Sequence, residues 1–304
     1  MFIPIGDDIQ KRIFPAIGIF LIVANLLVYV HSAKLWEESV PKEITLQTMR
    51  DFDITRTVWY KFSMQWGLVP ADVARGKTIG LATHMFLHGD FLHLLGNMVV
   101  LWAFVGTLEN ALGSVKFLAF YLLWGLSAGA SHVACMWGDK LPMIGASGAV
   151  AGMIGGYFVL FGALSKIKTI VFLPRPVKIN FPAGLYVVIW LALQFAGMEQ
   201  SGSHVAYYAH LGGALAGAGT MYFFRGAVHS RLKLNSEGQV EFKDEPPPLV
   251  RSADMAEGAV AVAAPVEVRQ LTNCPHCGTM LQDSNKVAER LWRCPAFNCQ
   301  RLVY

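Results

Sequence analysis

The chain has 304 residues, of which 54% are hydrophobic and only 15% are charged, and its formal net charge is +4. Because soluble globular domains carry about 25% charged residues, this composition excludes an ordinary soluble domain and favours a membrane protein. The lysines and arginines are spread along the chain and are not clustered as a nucleic-acid-binding patch would require. We therefore expect the lipid bilayer as a partner and no nucleic acid.

Six apolar segments approach the length that a bilayer-spanning helix requires, about 20 residues. They are residues 13–31, 91–108, 116–136, 144–164, 183–200 and 204–224. The pattern predicts an all-α membrane protein, a bundle of six transmembrane helices occupying residues 1–231. The long connection 32–83 contains several tryptophans, which are typical of the membrane interface, so we expect an ordered loop lying on the membrane.

The short connections rich in lysine and arginine predict the orientation of the bundle, because such connections face the cytoplasm. These basic residues precede the first span, fill the connection after the fourth and follow the sixth: Lys11, Arg12, Lys166, Lys168, Arg175, Lys178, Arg225, Arg231 and Lys233. With six spans, all three places lie on one side. The sequence thus predicts a multi-pass protein of a bacterial inner or plasma membrane with both termini in the cytoplasm.

A serine and a histidine in two of the spans are candidates for catalysis. Ser147 begins the fourth span, and His210 lies about two turns into the sixth. A serine hydroxyl becomes a useful nucleophile when an adjacent base takes its proton. His93 and Asn97 are four residues apart and share a face of the second span. The predicted topology puts all four in the outer half of the membrane, where His93, Asn97 and the Ser147 N–H are candidate donors to an oxyanion.

Each of these residues also has a structural interpretation. A serine among glycines can serve packing alone, and His93 with Asn97 can simply join helices, whereas a membrane histidine is a functional candidate by default. The shared depth favours hydrolysis. No acidic residue is placed to orient the histidine, so the sequence predicts a Ser-His dyad rather than a triad.

Glycines on the two candidate catalytic spans predict that these helices pack closely. Gly148, Gly152 and Gly156 repeat at four-residue intervals after the serine, and Gly213 and Gly217 do so after the histidine. Small residues at this spacing let two membrane helices approach each other. Such an approach would bring the serine within hydrogen-bonding distance of the histidine.

Several motifs in this order resemble the rhomboid family of intramembrane serine proteases, from about Gly67 to Gly226. The matching segments are Gly67-Leu68-Val69-Pro70, the histidine-rich run 84–97 with His84, His88, His93 and Asn97, Glu109 with Gly113, Gly145-Ala146-Ser147-Gly148, and Ala209-His210-Leu211-Gly212-Gly213. The resemblance implies a rhomboid-like six-helix bundle with a water-accessible cavity and lateral substrate access near the fifth span. It implies an endopeptidase whose substrates are transmembrane proteins.

By the same resemblance, Ser147 is the nucleophile, His210 the general base, and His93 and Asn97 the oxyanion-binding pair. Structural roles are implied for His84, His88 and Glu109. Two positions depart from the family pattern. Ile79-Gly80 stands where a Trp-Arg pair is common, and Ala151 stands where some members carry an aromatic residue that stacks on the histidine. Two alternatives stay open: a non-catalytic rhomboid-like protein that binds membrane clients, and a solute transporter, which would show paired intramembrane charges or broken helices.

The last part of the chain differs in character. Residues 232–270 have the composition of a flexible linker. Residues 271–304 contain Cys274, Cys277, Cys294 and Cys299, and four thiolates suit a closed tetrahedral zinc site. This segment resembles a zinc ribbon, for which we expect structural Zn²⁺. Its role stays open between binding of a protein partner, regulation and structure alone. A pair of disulfides is the alternative, disfavoured in a reducing compartment. Catalysis itself is expected to need no cofactor.

Overall fold

The computed structural model describes residues 2–9, 13–38, 57–173, 175–198, 206–230, 232–234, 240–243, 286–288, 291–293 and 302–303. The chain divides into two compact units, Met1–Asp244 and Glu245–Tyr304. In the second unit, the described residues form a three-stranded antiparallel sheet. The four cysteines predicted to bind zinc lie outside the described residues, so that site stays a prediction.

The first unit is mostly helical. In chain order its helices are α1 (Ala16–Glu37), α2 (Val58–Trp66), α3 (Pro70–Val73), α4 (Gly80–Thr83), α5 (Phe91–Leu112), α6 (Ser114–Cys135), α7 (Ser147–Phe161), α8 (Ala183–Met198) and α9 (Tyr207–His229). A short 3₁₀ helix, His84–Phe86, follows α4. Every predicted span therefore contains one helix of at least 15 residues.

Three described helices, α1, α5 and α6, are long and apolar enough to cross a bilayer, and α7 and the first part of α8 are shorter apolar helices. The predicted boundaries of the fourth and sixth spans need correction. Helix α7 begins at Ser147, and it ends where Gly162 takes a φ of 80° that breaks the helix. Helix α9 begins only at Tyr207, so His210 lies in its first turn and not two turns in. The chain is an integral, multi-pass membrane protein.

The prediction of an all-α fold was incomplete, because the first unit also contains a sheet. Strands β1 (Phe2–Asp7), β2 (Lys166–Leu173) and β3 (Arg175–Pro182) pair in that order, antiparallel throughout. The connection after the fourth span is rich in β-branched residues, which favour strands. The basic residues of this connection, which predict the orientation of the bundle, lie within β2 and β3. Strand β3 leads directly into α8.

A second hairpin extends the packed unit beyond the predicted end of the membrane domain. Strands β4 (Leu232–Leu234) and β5 (Val240–Phe242) pair antiparallel, and the Phe242 side chain is buried in the main core. The sequence had assigned residues from 232 onward to a linker. The difference arises because Phe242 and Leu232 of the hairpin pack against the core, whereas composition averages over the whole segment.

Helix α7 is enclosed by α6 and α9, and glycines set the distances. A β-carbon on Gly213 would lie 2.0 Å from the Gly148 carbonyl oxygen, and one on Gly217 would lie 1.9 Å from the Gly152 carbonyl oxygen. The predicted close approach of the two candidate catalytic helices is therefore present. Gly152 itself faces α6, where a β-carbon would lie 2.4 Å from Trp124 Cβ. The helices meet backbone to backbone because no side chain intervenes.

Two further contacts hold the bundle, one at each of its ends. The first lies at the end where α5, α7 and α9 begin. The segment containing α2–α4 is joined to the loop before α7 by an isolated bridge between Leu68 and Met143. At the opposite end, the buried Glu109 carboxylate accepts hydrogen bonds from the backbone N–H groups of Ile17 and Gly18, which begin α1. Glu109 thus links α5 to α1, in agreement with the structural role that the resemblance implied.

Candidate active site

Ser147 is held at the first position of α7 by the tight loop that precedes it. Gly145 has a φ of 127°, which L-residues with a side chain rarely adopt, and its backbone N–H donates to the His84 carbonyl oxygen at 2.9 Å. The N-cap residue, Ala146, offers no side-chain hydrogen bond to the first turn. The start of a helix carries backbone N–H groups and a partial positive charge, so the Ser147 side chain lies where a developing negative charge is stabilised.

His210 lies beside Ser147. Its Nε2 atom is 2.8 Å from Ser147 Oγ, a hydrogen-bonding distance between residues 63 positions apart. Both side chains are partly buried. This is the spacing required between a serine nucleophile and its base.

The other imidazole nitrogen of His210 also has a partner. His210 Nδ1 lies 2.6 Å from the Oε1 atom of Gln194 on α8. The imidazole ring packs near two aromatic rings, with centroid separations of 6.3 Å to Trp190 and 6.2 Å to Tyr207. Sequence reasoning missed Gln194 and Trp190. Gln194 is the one strongly polar side chain in the sequence of α8, and a polar residue inside a span is itself a signal of function.

His93 borders the same small space as the serine. A β-carbon on Gly145 would lie 2.7 Å from His93 Nε2 and 3.6 Å from Ser147 Oγ. Only glycine leaves this space open. His93 is oriented by Asp90, the N-cap of α5, whose side chain accepts from the His93 backbone N–H at 2.8 Å.

Asn97 lies one turn further along α5 and contacts His88. Its Nδ2 atom is 3.0 Å from His88 Nε2, and the His88 ring meets the His93 ring edge-on with a centroid separation of 5.0 Å. One N–H of the Asn97 amide is thereby engaged, and the second is left for another acceptor. The structure brings His93 and Asn97 together through His88, for which the resemblance implied a structural role.

The two histidines before α5 are neutral in the folded protein. Burial lowers the pKa of His84 to about 4, and burial together with the neighbouring His93 lowers the pKa of His88 to about 3. His84 Nδ1 lies 2.8 Å from the Gly80 carbonyl oxygen. A neutral His88 can accept the Asn97 N–H at Nε2, whereas a protonated one could not.

His132 of α6 is a further buried histidine. Its side chain is 8% exposed. Its position in α6 faces the same end of the bundle as His84, with which it interacts electrostatically. His84 and His132 therefore lie near each other at the end of the bundle where the loop before Ser147 is held by the His84 carbonyl oxygen.

Comparisons with known proteins agree with this geometry. The Rhomboid domain family matches residues 75–227, about half of the chain. The chain is 31% identical over 181 residues to Rhomboid protein 1, mitochondrial, of Saccharomyces cerevisiae, covering 57% of this chain and 49% of that protein. It is 36% identical over 138 residues to the human Presenilin-associated rhomboid-like protein, mitochondrial, covering 43% of this chain and 34% of that protein.

A bacterial relative is more distant. The chain is 30% identical over 167 residues to Rhomboid protease GluP of Bacillus subtilis, covering 55% of this chain and 29% of that protein. The matches thus span about half or less of the length of these curated relatives. The match to the family includes α5 through α9 and every residue of the serine-histidine site. This chain belongs to the rhomboid family.

Proposed function

We propose that the protein is an intramembrane serine endopeptidase that cleaves peptide bonds in or beside the transmembrane segments of other membrane proteins. One observation carries the proposal: Ser147 Oγ and His210 Nε2 lie 2.8 Å apart. The family membership supports it, since one relative of this chain, from Bacillus subtilis, is named a rhomboid protease. Ser147 is the proposed nucleophile and His210 the proposed general base.

The reaction follows from the geometry. Ser147 Oγ attacks the carbonyl carbon of the scissile bond while its proton moves to His210 Nε2. The oxyanion that forms accepts hydrogen bonds from the Ser147 backbone N–H, from His93 Nε2–H and from the free N–H of Asn97. The tetrahedral intermediate collapses, the C–N bond breaks, and the leaving amine takes the proton from His210. An ester links the substrate acyl group to Ser147.

Water completes the cycle. A water molecule gives a proton to His210 Nε2 and attacks the ester carbonyl, and the second tetrahedral intermediate passes through the same oxyanion site. Its collapse breaks the bond to Ser147 Oγ, which recovers its proton from His210, and the carboxylic acid product leaves. Each proton taken up by His210 is returned, so no cofactor is needed.

The test is covalent labelling of purified protein in detergent with a fluorophosphonate probe, paired with cleavage of a model transmembrane substrate. Wild type should label and cleave, and Ser147→Ala should do neither. Equal labelling of wild type and Ser147→Ala would overturn the assignment. A folded wild type that binds membrane clients but neither labels nor cleaves would favour the non-catalytic alternative, and solute flux in liposomes that survives Ser147→Ala would favour a transporter.

A further inference from the structure

Two side chains of α8, one turn apart, lie beside the candidate base, His210. Trp190 and Gln194 are four residues apart and so share one face of the helix. The Gln194 Oε1 atom lies 2.6 Å from His210 Nδ1, and the Trp190 ring is tilted by 40° against the imidazole ring. Gln194 is 8% exposed. A buried amide beside the base suggests a function beyond filling space.

The orientation of the Gln194 amide is determined by its second contact. The Nε2 atom of Gln194 donates to the Trp190 carbonyl oxygen at 3.3 Å. A carbonyl oxygen can only accept, so the nitrogen of the amide faces Trp190 and the oxygen faces His210. If the amide were flipped, Gln194 Oε1 would face the Trp190 carbonyl oxygen, and the two acceptors would repel each other.

The amide orientation in turn selects the tautomer of His210. Because Gln194 Oε1 can only accept, His210 Nδ1 must carry the proton. A neutral imidazole has one donor nitrogen and one acceptor nitrogen, so Nε2 then carries the lone pair. That lone pair faces Ser147 Oγ, which is the arrangement that a general base needs. The opposite tautomer would direct an N–H at the serine and could not take its proton.

Helix α8 also supports the position of the His210 ring. The fourth residue after Ser147 is Ala151, whose side chain is a single methyl group. The aromatic rings near the His210 imidazole belong instead to Trp190 of α8 and to Tyr207 of α9. Helix α8 therefore supplies both a ring contact and the Nδ1 acceptor.

We infer that Gln194 is a positioning residue that holds His210 in the Nδ1–H tautomer, so that His210 acts as a base only while α8 lies against α9. The inference rests on the proposed function. It ties the chemistry to the position of α8, a helix whose residues Leu185, Val188 and Ile189 are exposed on its outer face. Displacement of α8 would remove the acceptor from His210 Nδ1. His210 would then no longer be held in the tautomer that accepts the serine proton.

The experiment compares three purified variants with wild type. Gln194→Met keeps the length and volume of the side chain but has no acceptor. Gln194→Glu keeps an acceptor for Nδ1–H, and its protonated carboxyl group can still donate to the Trp190 carbonyl. Leu215→Ala on α9 is the control, since Leu215 is 73% exposed. The measurements are kcat and KM for a transmembrane substrate, and the labelling rate with a fluorophosphonate.

Gln194→Met should lower kcat and the labelling rate by about 10- to 100-fold, because a misplaced base costs that order of rate. KM should stay within about twofold, since ground-state binding is untouched. Gln194→Glu should recover most of the rate, and Leu215→Ala should match wild type. A residue that served packing alone would tolerate Gln194→Met, which keeps the volume of the side chain.

Three results would overturn the inference while leaving the proposed function standing. One is a folded Gln194→Met enzyme with the kcat of wild type. Another is equal impairment of folded Gln194→Met and Gln194→Glu. The third applies where size exclusion and the thermal midpoint show that Gln194→Met does not fold. It is a Gln194→Glu enzyme that is folded but inactive. Failure of the proposed function is a different outcome, in which wild type itself neither labels nor cleaves.

Discussion

His210 Nε2 meets Ser147 Oγ at 2.8 Å because two helices that begin at the same end of the bundle touch backbone to backbone. The serine stands at the first position of α7 and the histidine in the first turn of α9. Their side chains are short and cannot bridge a wide gap. The contact therefore depends on the glycines below it as much as on the two residues themselves.

Loss of either partner should remove the activity of the pair as a unit. We expect Ser147→Ala and His210→Ala each to lower kcat/KM at least about 1000-fold for a transmembrane substrate in proteoliposomes, and the double variant to lose no more than the single ones. The reason is that neither group works without the other. Losses that multiply in the double variant would show two independent contributions and contradict the dyad.

The helix contact can be tested with a matched pair of glycines on α9. A β-carbon on Gly217 would lie 1.9 Å from the Gly152 carbonyl oxygen, whereas one on Gly219 would meet nothing within 4 Å. Overpacking of this kind costs about 1–3 kcal/mol. Gly217→Ala should lower the thermal midpoint, separate α9 from α7 and reduce activity by about 100-fold.

Gly219→Ala is the control for that experiment. It makes the same chemical change on the same helix, and it should leave both the midpoint and the cleavage rate close to those of wild type. If the two variants behave alike, the close approach of α7 and α9 does not set the serine-histidine distance.

Glu109 should matter for stability and not for chemistry. Its carboxylate accepts from the backbone N–H groups of Ile17 and Gly18 and from the Ser114 hydroxyl. Glu109→Ala would leave buried donors unpaired, at about 1–3 kcal/mol for each. The thermal midpoint in detergent should fall, and activity per folded molecule should not. Glu109→Gln keeps one acceptor oxygen and should lose less; an unchanged midpoint in Glu109→Ala would contradict the linking role.

The histidines before α5 predict how stability depends on pH. The pKa values of His84 and His88 are lowered to about 4 and about 3 by burial, and the unperturbed value is 6.5. As the pH falls below 6.5, the unfolded chain takes up these protons first, so the folded state loses stability between about pH 6.5 and pH 4. The slope is up to about 1.4 kcal/mol per pH unit for each histidine.

Thermal unfolding measured across this pH range checks the prediction. The midpoint should fall with pH in wild type and fall less steeply in His88→Gln, whose amide oxygen can accept from Asn97 without titrating. Equal slopes in wild type and His88→Gln would contradict a buried, neutral His88.

The cysteine motifs near the end of the chain predict a metal content that can be measured directly. Elemental analysis of the full-length protein should find about one zinc per chain, since four thiolates complete a tetrahedral site. Cys274→Ser should lose the metal, and Cys135→Ser in α6 should keep it. Zinc absent from wild type purified without chelators, or blocked thiols released only by a reductant, would favour the disulfide alternative.

Much of the helical architecture and the candidate reactive pair could be predicted from the sequence. Apolar length predicted six helices, and alternating direction predicted one depth for Ser147, His210, His93 and Asn97. Glycine spacing predicted the contact of α7 with α9. Helix length and glycine spacing are local properties of the sequence. The depth of a residue follows from counting spans, because a bilayer allows few topologies.

The tertiary structure alone decided what surrounds the base. Gln194 reaches His210 only because α8 has one particular rotation against α9, and helix rotation depends on side-chain packing that a single sequence does not encode locally. The same holds for His88 between Asn97 and His93, and for β1, which pairs with β2 across more than 150 positions. Spacing along a chain predicts depth in a membrane, but the partner of a given nitrogen is set by how whole helices pack.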